Sequence, residues 1–407
     1  MDHSHKSTCE IRDADKFIAR PVTSGPRHHF FGYFGMQPWD PTEQFLLCLE
    51  VSFSDRPPGA DDKASVGVVE LSSSRFIHLA DTSAWNFQQG AMLHWSPNSS
   101  GSEIIFNDRQ GRTPVSVILN LRTKEQRTLS RPISALSHDG KTALSINFGR
   151  LHWASPGYGY AGINDPSIKN PDDDGVFSMD INGKGVKRIV SLADVLAIGN
   201  KSGDLANQPL VFNHTAFSPD DRRFAFLVQW RVFTFPKWAR LSRLKKLWKL
   251  NALMFTANVD GTDLRQVAYF ENISHFDWKN SNEILMWAQL KDEEGFFLTT
   301  VDGYSYRRIG EKFLTEDGHC SFSPDGKWVL VDTYPNEQRF STLKLYNWAE
   351  GDQTILGKFY ADPKFVGEIR CDLHPRWNRN GLQVCFDSVH ESTRQVYVLD
   401  IFRTQKF

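Results

Sequence analysis

The feature that most restricts the fold of this 407-residue chain is a pattern that recurs seven times. Each copy opens on an aromatic residue or leucine, passes through a polar turn and enters a run of β-forming residues. The copies are WDPTEQF from Trp39, WSPNSSGSEIIF from Trp95, LSHDGKTALSI from Leu136, FSPDDRRFAFL from Phe217, WKNSNEILMW from Trp278, FSPDGKWVLV from Phe322 and WNRNGLQVCF from Trp377. Asp, Asn and Gly suit such turns because they tolerate positive φ or bond back to the backbone. A second turn follows many copies, as in MDINGKG near Asn182, NVDGTDL near Asp260 and TVDGYSY near Asp302. Two hairpins per copy make a four-stranded sheet, and such sheets repeated about an axis form a β-propeller. The expectation is an all-β, seven-bladed propeller in which residues 1–407 form one domain.

The last copy ends on QVYVLDI with little chain left, whereas KFIARPVT (Lys16 to Thr23) reads as a strand with no copy of its own. That N-terminal strand is expected to close the seventh blade. Unequal spacing places insertions at 55–64, about 150–175, about 191–212, 232–250 and about 360–371, and loops on a rigid scaffold are where function concentrates. In the 232–250 insertion, Trp238, Leu241, Leu244 and Trp248 fall near helical spacing among six basic residues. A basic amphipathic helix there fits weak contact with an anionic membrane surface or cover over a polyanion site, with a solvated helix packed on its blade as the plainer reading.

A formal net charge of -1 gives no bulk preference for nucleic acid, and none is expected as a partner. The opening MDHSHKSTCE lacks a secretory pattern, and no apolar run reaches the roughly 20 residues a bilayer span needs. Cys9, Cys48, Cys320, Cys371 and Cys385 are an odd, scattered set without CxxC spacing, which fits reduced thiols. A cytoplasmic location is the expectation. No GxSxG elbow supports a peptidase.

Three residues before the opening aromatic stand His214, His275, His319 and His374 in copies four to seven, against Met36, Met92 and Ile133 in copies one to three. Equivalent positions in a propeller are related by rotation, so four contiguous imidazoles should converge at one end of the channel. Histidine there offers metal ligation or proton transfer near neutral pH. The alternative is structural: each imidazole bonds a carbonyl of its own blade, as repeat consensus residues often do. Convergence to within about 5 Å of a common point would favour a site.

Polar residues gather at the ends of the second strands, including Asn107, Arg109, Arg150, Gln229, Arg231, Asp332 and Asp387. Arg109, Arg150 and Arg231 are candidates for binding an acidic substrate, with rim salt bridges as the plainer reading. Arg376 stands two residues after His374, and a strand's period of two would put both on one face, where a guanidinium grips carboxylates. The loop RLHWASPGYGYAG, with His152, Tyr158 and Tyr160, suits stacking on sugar faces or simple aromatic packing.

The SPDG-type turns resemble TolB-like propellers. The motifs HFDW (His275), GHCSFSPDG (His319) and DLHPRW (His374) resemble the oligogalacturonate lyases, seven-bladed propellers that cleave uronate disaccharides by β-elimination with manganese. The resemblance implies a base at His275 and metal ligands at His319 and His374. It places Cys371 and Arg376 where that family has a glutamine and a histidine ligand. The implied activity is that of a lyase for a uronate-containing oligosaccharide, with His275 as base, Arg376 and a divalent metal, manganese foremost, neutralising the carboxylate, and His214 or Tyr160 assisting the leaving oxygen. The alternative function is a non-catalytic propeller that binds glycan or protein.

Overall fold

A computed structural model describes residues 10–11, 17–163, 172–199, 205–234 and 247–403. Seven four-stranded antiparallel sheets follow one another, each a meander. Blade one comprises His28–Phe30, Phe45–Val51, Ala64–Glu70 and Arg75–Thr82, and blade two His94–Trp95, Glu103–Gln110, Thr113–Asn120 and Gln126–Leu129. The first strands of blades three to seven are Ala135–Leu136, Val211–Phe217, Phe276–Asn280, Cys320–Phe322 and Arg376–Trp377. Arg20–Pro21 is the outermost strand of blade seven, paired with Val398 and Tyr397, so the N-terminal strand closes the ring. A second pairing of the chain's two ends joins Glu10–Ile11 to Phe402–Arg403.

The recurring motif is turn and seam chemistry. In blades three, four and six the turn serine donates to the aspartate two residues on, at 2.7–2.8 Å for Ser137, Ser218 and Ser323, and the same hydroxyl accepts a backbone N–H across the turn. The turn requires a left-handed residue, filled by Gly140 and Gly326 and, in blade four, by Asp221 at φ 57°. Asp221 offsets that backbone cost by accepting the N–H groups of His138 and Asp139 on blade three, both at 2.9 Å. The opening tryptophan pins neighbouring blades: the indole N–H groups of Trp95, Trp278 and Trp377 donate to Pro38, Ala216 and Ser321, each the residue before the preceding blade's own aromatic.

Blade one breaks this regularity. Its first strand pairs at His28–Phe30, leaves the ladder and returns at Trp39, which bridges Leu46. The intervening residues 31–38 carry Tyr33 and Phe34 into the channel. Gly32, at φ 120°, is required there, since a Cβ would lie 2.6 Å from the backbone nitrogen of Gly90.

Since each first strand begins at the histidine end, the second-to-third strand connections and the blade-to-blade connections fall at that same end. α-Helix is confined to two of these insertions, at Phe148–Ala154 and Leu192–Gly199, among the described residues. The ends of the 232–250 insertion are strand, not helix: Arg223–Thr234 and Leu247–Asn258 form one continuous hairpin ladder. Each arm satisfies the other's backbone groups, which overrides the helical spacing; residues 235–246, with Trp238, Leu241 and Leu244, lie outside the described residues. No helix among the described residues is long and apolar enough to cross a membrane. The described cysteines, Cys48, Cys320, Cys371 and Cys385, are free and buried.

The closing strand is held by Val22 N–H to Val396 O at 2.9 Å, and Val22 is buried among Trp39, Leu46, Val396 and Val398 of blades one and seven. Val22→Asp buries an unpaired carboxylate in that seam, and we expect a loss of about 2–5 kcal/mol, seen as a fall in Tm, while Val22→Ile leaves Tm within a few degrees.

Candidate functional site

The four register histidines meet at the channel mouth. Ring centroids lie 4.1 Å apart for His275 and His319, 4.2 Å for His319 and His374, and 6.3 Å for His214 and His275. The excursion from blade one reaches into this arc. Tyr33 stacks on His214 at 4.9 Å and meets His374 edge-on at 5.2 Å, and Phe34 lies 5.0 Å from His319. The Tyr33 hydroxyl is hydrogen-bonded to Nδ1 of His214. A channel cavity of about 220 Å³ adjoins these rings, lined by Met36, Met92, Phe217 and Trp278.

Two of the imidazoles are oriented by carboxylates. His275 Nδ1 is 3.1 Å from Asp317 Oδ1, leaving Nε2 directed towards the Tyr334 hydroxyl at 3.5 Å. His319 Nδ1 lies 2.9 and 3.0 Å from the two oxygens of Asp332, which also accept the backbone N–H groups of His319 at 2.7 Å and His374 at 3.1 Å. The Nε2 atoms of His319 and His374 are buried without a hydrogen-bond partner. Both residues stand beside the Asp372 carboxylate, and the ligand atoms of His319, Asp372 and His374 lie within 4.8 Å of one another. Two orphaned imidazole nitrogens beside a buried carboxylate could together hold a divalent cation, and Asp332 orients the His319 ring.

Electrostatics separate the four. Burial, with the charges of His275 and His319 nearby, pushes the His214 pKa well below the ordinary histidine value. Burial together with His319, Arg376 and Arg370 does the same to His374. Burial and His319 lower His275 against the pull of Asp317, leaving a neutral imidazole at neutral pH. His319 is the exception: burial opposes its charge, yet Asp332, with Asp372 and Asp317 beyond, raises its pKa.

A cation completes the rim. Arg370 donates from Nε to Asp372 at 2.7 Å and from its terminal nitrogen to the Tyr158 hydroxyl at 2.7 Å. Against the cost of burial, Asp372 and the phenols of Tyr158 and Tyr334 hold this guanidinium protonated. Through Tyr158 the blade-three loop spans from Asn86, on the segment that enters blade two and donating to Gly159 O, to the segment that enters blade seven.

Several sequence expectations are relocated. Arg376 is 2% exposed and bonded to Asp387 at 2.9 Å, not offered to a ligand. A strand's period of two does not hold across these residues, because His374 is left-handed, at φ 42°, which rotates the strand entry between the two. Tyr160 is buried away from the arc, stacked on Phe148 at 4.6 Å and accepting from Asn107 at 2.9 Å; Tyr158 stands at the rim in its stead, half-buried and bonded to Arg370. Arg150 is buried, donating to Leu210 O at 2.6 Å and 3.5 Å from Asp174. Arg109 is bonded to Gly111 O and Ala60 O, and Arg231 to Ser155 at 3.3 Å. His152, on the helix Phe148–Ala154, is half-buried with Nδ1 unpartnered. Cys371 packs with Phe365 and Val389, and its neighbour Asp372 joins the imidazoles instead.

Neither a protein-family model nor a curated protein matches the chain. Solved structures do. An oligogalacturonate lyase in complex with manganese superposes with a TM-score of 0.65 at 14% identity, covering 97% of this chain and 96% of that one. An oligogalacturonate lyase from Vibrio parahaemolyticus gives 0.64 at 12%, covering 97% and 96%. The β-propeller domain of the Trilobed protease from Pyrococcus furiosus gives 0.47 at 11%, covering 93% and 96%. The chain is thus a seven-bladed β-propeller with an imidazole centre at one mouth. Within that class its fold is oligogalacturonate lyase-like, and its sequence is divergent.

Arg376→Ala leaves Asp387 charged and buried, so a cost of about 3–5 kcal/mol is expected, read as a large fall in Tm. An unchanged Tm would return Arg376 to the candidates for ligand binding.

Proposed function

We propose that this protein is a lyase that cleaves an acidic oligosaccharide by β-elimination next to a uronate carboxylate. The observation that carries the reading is the meeting, at one channel mouth, of an imidazole braced by a carboxylate, a His/Asp/His donor set and an arginine. The manganese bound by the similar lyase structure agrees with it.

Removing the proton at C5 of a uronate places negative charge on the adjacent carboxylate, so catalysis needs a base and nearby positive charge. His275 is the base: with its Nδ1 hydrogen held by Asp317, Nε2 presents a lone pair to the chamber. Arg370, kept charged and oriented by Asp372 and Tyr158, binds the carboxylate and stabilises the developing charge. His319, Asp372 and His374 would hold a divalent cation, which would supply further neutralisation at the same carboxylate. Tyr158 and Tyr334 stand beside Arg370, with ring centroids 5.7 and 6.0 Å from its guanidinium carbon, and are the aromatic groups proposed to contact the sugar.

Purified protein incubated with oligosaccharides of galacturonate, glucuronate or other uronates, with and without manganese, is expected to generate the ultraviolet absorbance of a C4–C5 unsaturated uronate. His275→Ala should lower kcat by about 10²–10⁴-fold with Tm little changed. No absorbance from any uronic oligosaccharide, with or without metal, would contradict the lyase reading and leave the propeller a binding scaffold.

A further inference from the structure

We infer that Tyr33 is the acid of this elimination, giving its hydroxyl proton to the oxygen that leaves C4; the inference rests on the lyase reading above. Tyr33 belongs to no blade. It arrives on residues 31–38, where blade one interrupts its ladder, and the interruption is anchored at its root. Asp387 accepts the N–H groups of Phe31 and Gly32, each at 3.3 Å, and Gly32 abuts the backbone of Gly90. A segment held this firmly fixes the side chain that follows it.

Packing alone does not call for a phenol. The next residue, Phe34, fills the channel beside His275, His319 and His374 with a plain ring. Tyr33 adds one polar atom to that plug, and the hydroxyl is bonded to the His214 imidazole while the residue is 8% exposed. His214 also stands 6.3 Å from His275. The phenol and the proposed base are therefore both neighbours of one imidazole, and an elimination needs its acid and its base in one site.

The step balances without a co-reactant. His275 Nε2 takes the C5 proton, the C5–H electron pair becomes the C4–C5 double bond, and the C4–O4 bond breaks. The departing O4 takes the Tyr33 proton. The His275 imidazolium then returns its proton to the Tyr33 phenolate, directly or through water, and both groups are restored. His214 positions the hydroxyl between turnovers.

The test compares two probes on the full chain: a 4-O-linked uronate disaccharide, whose alkoxide must be protonated to leave, and a uronate carrying 4-O-nitrophenyl, whose phenolate leaves unaided. Tyr33→Phe keeps the ring and the stack on His214, so Tm and near-ultraviolet circular dichroism should match the parent. The expected result is a loss in kcat of about 100-fold or more on the disaccharide and a change within about threefold on the nitrophenyl probe. Equal losses on both, or no loss on the disaccharide, overturn the assignment of Tyr33 while leaving the lyase reading intact. A wild-type protein that turns over neither probe overturns both.

Discussion

Three of these blades, the second, sixth and seventh, are clasped to the next by a polar side chain at the end of the second strand. Asn107 of blade two bonds Ile133 ahead of blade three, through both N–H and C=O at 2.8 Å. Asp332 of blade six receives the N–H of His374, and Asp387 of blade seven receives those of Phe31 and Gly32 in blade one. The first strand's entry is short of ladder partners, and a buried side chain satisfies it at the point where two blades meet. The last clasp lies beside the ring's seam, where Val22 and Thr23 pair with Val396 and where the Arg376–Asp387 ion pair is buried.

The site grows out of these clasps. A carboxylate that must hold the backbone of His374 is already within reach of the His319 ring, and Asp332 serves both with two oxygens. The same logic at Asp387 gives blade one a rooted excursion that delivers Tyr33. Charge-assisted bonds to buried backbone are strong and short-ranged, so they fix geometry as well as stability. Asp332, which braces the centre, thus also joins blade six to blade seven, whereas His275 and Tyr33 lie beyond the clasps.

The seven blades, their closure and the histidine register were legible in the sequence because each is periodic. Rotational repetition turns a spacing into a position, and the carboxylates Asp332 and Asp387 stood out as polar groups where strands are apolar. Tyr33, Tyr334, Arg370 and Asp372 have no repeat to betray them, for they come from an excursion and from insertions whose path depends on tertiary contacts. Arg376 was misplaced for a related reason. Strand alternation holds only while the backbone stays extended, and the left-handed His374 breaks it. Tyr160 and Tyr158 differ by two positions in a loop, where no alternation decides which one is buried. Asp372 was hidden by a resemblance that pointed one residue earlier, to Cys371.

On the lyase proposal the register histidines form a cation-assisted centre rather than a set of structural caps. Crystals soaked with manganese and measured at the manganese absorption edge test it directly. One anomalous peak within bonding distance of His319 Nε2, His374 Nε2 and an Asp372 oxygen, with Arg370 beside it, is the predicted result. No peak there, with the two Nε2 atoms turned to backbone carbonyls of their own blades, would contradict it.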